Sequence, residues 1–373
     1  MSTFQIFLSF LSQDPQVIYM KRGCEASVDL TIATSSEDED DDDDDASITL
    51  SLLVLTSATR AVAYGLDARG WALLCTWGAP IAFFNILYKL RQQFGTEADL
   101  GCLDAFAGAA NIWRVFSARG VSSAAYDCIY DADLQNILSP AGFSNLVQWC
   151  RRLTPHKSIA HFGVLCSSWV FMSRNSTRRR QYNIDGRDST GRMSRKVQEG
   201  NMMASRVVLL LLLLAVRNVI WVVEQPNSSL LFFYRRFWKL YQCMRLHKSR
   251  TWLGCFGAPT PKAIMLLSNH RMVYTLERRF KRSHCDSHAL QVVIPAVSGG
   301  VTGGRDLRST QQYPLQYAEA LYRSCVEADF EELNAGCLFD GECALPQTED
   351  IWADADLKSV CTFLDIPDDR LIV

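Results

Sequence analysis

The chain has 373 residues, 48% of them apolar and 11% aromatic, which is enough to bury a sizeable core and excludes a chain without fixed structure along its whole length. Its formal charge of −2 hides an asymmetry: Glu37–Asp45 is an unbroken acidic run, the tail after Arg323 is acid-rich, and the middle between them is basic. Thirteen scattered cysteines, an odd number without a C-x-x-C pair, exclude a regular secreted disulfide framework and fit reduced thiols in an intracellular protein. The first ten residues also lack the basic start of a secretory signal.

Residues 1–46 read as a poorly ordered acidic extension whose like charges repel one another. Residues 47–97 are an apolar segment without a chemical motif. Within it, Trp71–Tyr88 approaches membrane-spanning length, but Thr76, Gly78, Pro80 and Asn85 interrupt it, so a buried segment is expected rather than a membrane span. From Gly101 the pattern alternates. A strand over Gly101–Phe106 is followed by a helix over Ile112–Arg119, a strand over Ser122–Tyr126, a helix over Phe143–Leu153 and a strand over Ser158–Leu165. After a polar loop come a helix over Met202–Val216, whose ten-residue apolar run Val207–Val216 suits a buried position, and a strand over Val219–Val223. A helix over Leu230–Met244 and two short strands near Trp252–Cys255 and Ile264–Leu267 complete the series. The alternation predicts a doubly wound α/β domain over 98–325 with a parallel sheet covered on both faces, followed by an acidic extension at 326–373. Ligands of such sheets sit beyond the carboxyl ends of the strands, where Asp104, Asp127, Cys166 and Glu224 are expected.

Three stretches carry candidate chemistry. In Leu103-Asp104-Ala105-Phe106-Ala107-Gly108-Ala109-Ala110-Asn111, small residues after a strand let the backbone approach a ligand, and the next helix would offer free N–H donors. A single glycine departs from G-x-G-x-x-G and disfavours NAD or FAD, while Asp127 at the next strand end could accept ribose hydroxyls. A tight turn with a solvated carboxylate is the plain alternative. In Phe162-Gly163-Val164-Leu165-Cys166-Ser167-Ser168-Trp169, a thiol stands just past a strand. The loop behind it carries Arg174, Arg178, Arg179, Arg180, Arg187, Arg192, Arg195 and Lys196 against only Asp185 and Asp188. Such a field would favour thiolate and could grip phosphates; the alternative is a structural cysteine beside a solvated basic loop. In Trp221-Val222-Val223-Glu224-Gln225-Pro226-Asn227, a carboxylate next to a proline-fixed turn could hydrogen-bond a ring nitrogen, the alternative being a capping or ion-paired glutamate. His284-Cys285-Asp286-Ser287-His288 lacks a second ligand pair at zinc spacing, so no metal is expected.

Asp104-Ala105-Phe106-Ala107-Gly108, then Cys166 after one strand and Glu224 after another, follow the order and approximate spacing of the cytosine-5 DNA methyltransferases, which residues 98–325 resemble. The region is more similar still to divergent methyltransferase-like proteins from protists. With these it shares Leu165-Cys166-Ser167-Ser168-Trp169, Glu224-Gln225-Pro226 followed by Ser228-Ser229-Leu230-Leu231, and Gly257-Ala258-Pro259 with Lys262. Ser268-Asn269 and Thr302–Leu307 running into Tyr313-Pro314 belong to the same set. The resemblance implies a doubly wound, Rossmann-like S-adenosylmethionine-dependent methyltransferase fold, S-adenosyl-L-methionine as cofactor, and methyl transfer to carbon 5 of cytosine in nucleic acid, DNA rather than RNA. It implies Cys166 as the nucleophile toward carbon 6 and Glu224 as the carboxylate that holds the ring nitrogen of a base taken out of its stack. Asp104, Phe106, Ala107, Gly108, Asn111 and Asp127 would line the cofactor site. Arg174, Arg178, Arg179, Arg180, Arg192 and Arg195 would meet the phosphates, with the nucleus as the preferred location.

The chain departs from the family pattern in four places. Leu165 and Ser167 replace the proline and glutamine that flank the family's cysteine, Gln225-Pro226 replaces its Asn-Val, and no Gln-x-Arg follows, although Arg278-Arg279 and Lys281-Arg282 are nearby. The stretch between Pro259 and Pro314 is too short for a target-recognition domain, so phosphate contacts without sequence readout are expected. A catalytically degenerate protein that keeps the fold and binds nucleic acid or cofactor is the alternative.

Overall fold

Short runs of alanine, β-branched and aromatic residues pair into a six-stranded sheet: β1 Cys102–Ala105, β2 Ser123–Tyr126, β3 Ile159–Phe162, β4 Ile220–Pro226, β5 His247–Trp252 and β6 Ala263–Ser268. The computed structural model describes residues 61–95, 97–281, 293–295, 301–303, 306, 308–335 and 352–367; the acidic run Glu37–Asp45 and the His284–His288 stretch lie outside the described residues. Strand order is β2-β1-β3-β4-β6-β5. β1 to β4 are mutually parallel, whereas β6 runs antiparallel to both of its neighbours. The sheet is therefore mixed where a parallel one was expected. The cause is local: residues 253–262, between β5 and β6, are too few for a crossover, so the chain returns beside itself.

Helices cover both faces, as the alternation predicts. On one side lie α1 Ala68–Thr76, α2 Ile81–Phe94, α4 Pro140–Arg152, α5 Arg195–Val216 and α6 Arg235–Cys243, packed on Leu103, Ala105, Ala160, Phe162, Trp221 and Val223. On the other side α3 Asn111–Ala118 and α7 Leu315–Val326 pack on Cys102, Ile159, Ile220, Val222, Ile264 and Leu266. The alternation of side chains along each strand sorts the two sets. Caps set several helix starts: the Asp67 carboxylate accepts the Gly70 N–H, and Ser139 accepts the Gly142 N–H just after Pro140 has opened α4.

The second half of α5, Val207–Val216, is apolar all round, and its leucines from Leu209 to Leu214 are buried, each worth about 2 kcal/mol of burial. Among the described residues it is the one helix long and apolar enough to cross a membrane; it is taken up by packing against α1, α4, α6 and β4. The Trp71–Tyr88 stretch is divided between α1 and α2 by Gly78, at φ +69°, and Pro80, and its large side chains join the core beside α4 and α5. The C-terminal acidic extension also contributes to this core. Trp352, Ala355, Leu357, Val360, Cys361, Leu364 and Ile366 are buried around the short helix α8 Leu357–Phe363.

Candidate active site

The chain leaves β1 toward β2 on one side and returns to β3 on the other, so a crevice opens beyond the carboxyl ends of β1 and β3, where sheets of this kind take ligands. The two loops that line it touch. The Gly163 N–H donates to the Ala105 carbonyl at 3.0 Å, and a Cβ at Gly163 would stand 2.6 Å from the Tyr313 hydroxyl and 3.3 Å from the Phe106 carbonyl, so a side chain here would push the hydroxyl aside. After β1, Phe106, Gly108 and Ala110 all have φ between +52° and +60°, coiling the backbone back before α3 begins. The Gly108 N–H donates to Asp127 Oδ2 at 2.9 Å and the Ile129 N–H to Oδ1 at 3.0 Å, which fixes the carboxylate at the end of β2 with lone pairs remaining on both oxygens. A Cβ at Gly108 would meet nothing within 4 Å, so there is room beside it, although its N–H is spent on Asp127 and its carbonyl accepts the Tyr130 hydroxyl at 2.5 Å. Phe106, Ala107, Gly108 and Asp127 are thus brought together as the sequence suggests.

Asp104 and Asn111 are not placed as expected. Asp104 lies inside β1, fully buried on the α3 face, and its Oδ2 accepts the Trp113 N–H at 3.2 Å. The strand pleat turns it under α3, so it caps the helix from below and takes donors that were expected to be free for a ligand. Burial raises its pKa to about 8, the hydrogen bonds from Trp113 and Ile112 opposing that rise. Asn111 spends its amide on the Tyr313 carbonyl, Nδ2 to O 2.7 Å, and so ties α3 to the segment ahead of α7.

Cys166 and Glu224 do converge. β3 ends at Phe162, opposite Val223, and Glu224 is the first β4 residue beyond that pairing, facing the space left as the chain turns away. Gln225, on the opposite face, holds the cysteine loop: its Nε2 donates to the Val164 carbonyl at 2.5 Å, and its Oε1 accepts the Ser229 hydroxyl at 2.8 Å. The loop then closes on itself, with the Trp169 N–H donating to the Cys166 carbonyl at 2.8 Å. Glu224 is 4% exposed. Its Oε2 accepts the Tyr313 hydroxyl at 2.7 Å; its Oε1 is buried without a hydrogen bond, 4.0 Å from Lys262 Nζ.

The thiol is not poised as thiolate in the way the basic loop suggests. Its pKa is raised, first by burial and then by the charge of Glu224, and Lys262 and Lys196 only partly oppose this. The loop arginines act elsewhere. Arg179 is fully buried, stacks on Trp169 at 3.4 Å, and donates to the Ile184 and Val197 carbonyls and to Asn201 Oδ1, so it braces the loop and is not available to phosphate. Arg195 pairs with Glu199 at 2.7 Å, and Arg192 is exposed. Arg174, Arg178, Arg180 and Arg187 instead line one open cavity of about 490 Å³ with Tyr182, which is 89% exposed; Asp188, 3.4 Å from Arg178, is the one acid in its wall.

Two residues of this region, His161 and Tyr317, carry no motif. His161, Tyr313 and Tyr317 form with Asp104 and Glu224 a buried polar seam on the α7 face. Asp104 Oδ1 is 4.0 Å from His161 Nδ1, His161 Nε2 is 3.3 Å from the Tyr317 hydroxyl, and the Tyr313 and Tyr317 rings stack at 5.3 Å. His161 in an otherwise apolar strand was a visible signal, and Tyr313 and Lys262 stood in the stretches that carry the resemblance; that they meet Glu224 was not visible, because they come from far along the chain. Lys262, at φ +28°, is held close to Glu224 where β6 begins. No group of three or more His, Cys, Asp or Glu that could hold a metal ion occurs among the described residues. Protein-family models, curated proteins and solved structures yield no match to this chain.

Proposed function

We propose that the chain is an S-adenosylmethionine-dependent methyltransferase with a Rossmann-like fold that methylates carbon 5 of cytosine in nucleic acid, DNA in preference to RNA. The observation that carries this reading is the meeting of Cys166 and Glu224, from two different strand ends, at one crevice beside Lys262. A thiol can add to carbon 6 of a cytosine, forming a carbon–sulfur bond, while a carboxylate shares a proton with the neighbouring ring nitrogen. Electron density then gathers at carbon 5, the position that accepts the methyl group; loss of the carbon 5 proton then breaks the carbon–sulfur bond, expels the thiolate and restores the ring, a release that fluorine at carbon 5 blocks. Burial raises the thiol pKa, so the thiol must give up its proton to solvent in the step that forms the carbon–sulfur bond while the ring nitrogen takes one up through Glu224; Lys262 and Lys196 are the cations that favour the thiolate.

The residues at the β1 and β2 ends fit the cofactor. Gly108 leaves empty space beside its Cα, and the Asp127 carboxylate keeps acceptor capacity for a ribose. S-adenosylmethionine, when bound, supplies an electrophilic methyl on a sulfonium. The cavity of Arg174, Arg178, Arg180 and Arg187 with Tyr182 suits phosphates and an unstacked base.

A second reading, a protein that binds nucleic acid or cofactor without catalysis, draws on the raised thiol pKa and on the α3 donors taken by Asp104. Incubation with S-adenosylmethionine and 5-fluorocytosine-containing DNA or RNA separates the two. A covalent protein–nucleic acid adduct, detected by mass spectrometry and absent in Cys166→Ala, is expected of the enzyme. Cofactor binding by calorimetry with no adduct on any probe would overturn the enzymatic reading in favour of the second.

A further inference from the structure

Glu224 must present one carboxylate oxygen outward, and a glutamate has three rotatable bonds with which to fail. Its environment removes that freedom. Oε2 accepts the Tyr313 hydroxyl at 2.7 Å, while Oε1 is left without a hydrogen bond, 4.0 Å from Lys262. Tyr313 is itself held from three directions. The Asn111 amide donates to its carbonyl at 2.7 Å, Tyr317 stacks on its ring at 5.3 Å, and the His161 ring meets it edge-on at 5.0 Å. Gly163 is the opening through which the hydroxyl reaches, since a Cβ there would come within 2.6 Å of it. Four chain segments distant in sequence thus serve to set one hydroxyl beside one carboxylate. The phenol remains a donor at any ordinary pH, because burial and the Glu224 charge push its pKa well above the usual tyrosine value.

We propose that Tyr313 is the positioning residue for Glu224: its hydroxyl holds Oε2 inward and leaves Oε1 as the acceptor directed at the ligand and Lys262. The inference rests on the methyltransferase reading for the identity of the ligand, but not for the geometry. It assigns Tyr313 no contact with the reacting atoms, so its removal lowers turnover and leaves substrate affinity in place.

The experiment is a double-mutant cycle of Tyr313→Phe with Glu224→Gln in the full chain, read by the rate of adduct formation with a 5-fluorocytosine oligonucleotide and S-adenosylmethionine. Tyr313→Phe is expected to slow trapping about tenfold at saturating oligonucleotide, with the half-saturating concentration unchanged, and to cause no further loss in the Glu224→Gln background. Gly163→Ala, which displaces the hydroxyl without deleting it, is expected to reproduce the loss. Equal losses from Tyr313→Phe in both backgrounds, or an unchanged rate, would overturn the proposal. If the parent protein forms no adduct, the functional reading fails by itself, and the positioning is then judged by thermal midpoints. A double variant that falls by less than the sum of the single variants sustains the Tyr313–Glu224 coupling; additive falls remove it.

Discussion

A carboxylic acid with no access to water and no cation beside it is costly when ionised, and Asp104 is such a group. Its pKa is raised from 3.8 to about 8, so in the folded chain it keeps its proton through a range where the unfolded chain releases it. Stability from this residue is complete below pH 3.8 and is lost as pH rises toward 8. His161, 4.0 Å away, works in the opposite direction: burial lowers its pKa to about 3, so its contribution grows from pH 3 to 6.5 and is flat beyond. The interval from 6.5 to 8 therefore isolates Asp104. Over it, the thermal midpoint should fall in the parent and fall distinctly less in Asp104→Asn, which retains an acceptor for the Trp113 N–H; parallel curves in differential scanning fluorimetry would refute this. Asp104 also shows where residue reading stops. Its strand and the nearby Gly108 were legible, but the alternation along β1 puts its side chain with Cys102 on the α3 face, and a shift of one residue decides whether a side chain meets ligand or core. Cys166 and Glu224 escaped that ambiguity. The first lies well past its strand, and the second faces the gap where its neighbouring strand has already ended.

Elements were legible where a period ran long and obscure where a contact from afar sets their role. The leucine run of α5 announces a buried helix, yet Arg206 within it gives no hint of its partners. Fully buried, Arg206 donates from Nε to the Ala355 carbonyl at 2.7 Å, from Nη1 to Ile137 and Ser139, and from Nη2 to Asp356 at 3.1 Å. Burial lowers its pKa only to about 10, so it stays charged at neutral pH. It thereby clamps the start of α8, a region whose acidic composition suggests a solvated tail. The Asp354 carboxylate adds a second clamp, accepting from the Tyr234 hydroxyl and, at 2.9 Å, from Arg236. Arg206→Met removes the donors from several buried carbonyls and should cost on the order of 3 kcal/mol, concentrated at the 352–366 segment. Limited trypsinolysis checks the location, since Lys358 is exposed on α8. Cleavage there should become the earliest event in the variant, whereas a uniform acceleration at all sites would mean that the arginine supports the whole fold equally.

At the scale of the whole molecule, a formal charge of −2 and a pI near 6.3 say little about binding, because opposite charges are separated along the chain. What matters for a polyanion is the local field at the cavity, where Arg174, Arg178, Arg180 and Arg187 face a single acid, Asp188. Folding also changes the count: it withdraws Arg179 into the core and pairs Arg195 with Glu199, two subtractions that no linear tally of basic residues could anticipate. Arg178 is paired with Asp188, so if Arg174, Arg180 and Arg187 each neutralise one phosphate, log K for duplex DNA should fall against log salt concentration with a slope of about −3. The double variant Arg174→Gln with Arg187→Gln should bring that slope to about −1, because two counterion-releasing contacts are gone. Arg195→Gln should leave it unaltered, since Glu199 already neutralises that charge. Fluorescence anisotropy across a salt series measures all three. An equal slope in the parent and the double variant would place the phosphate contacts elsewhere and detach this cavity from nucleic acid, while a slope lowered by Arg195→Gln would mean that the ion pair opens to bind the backbone.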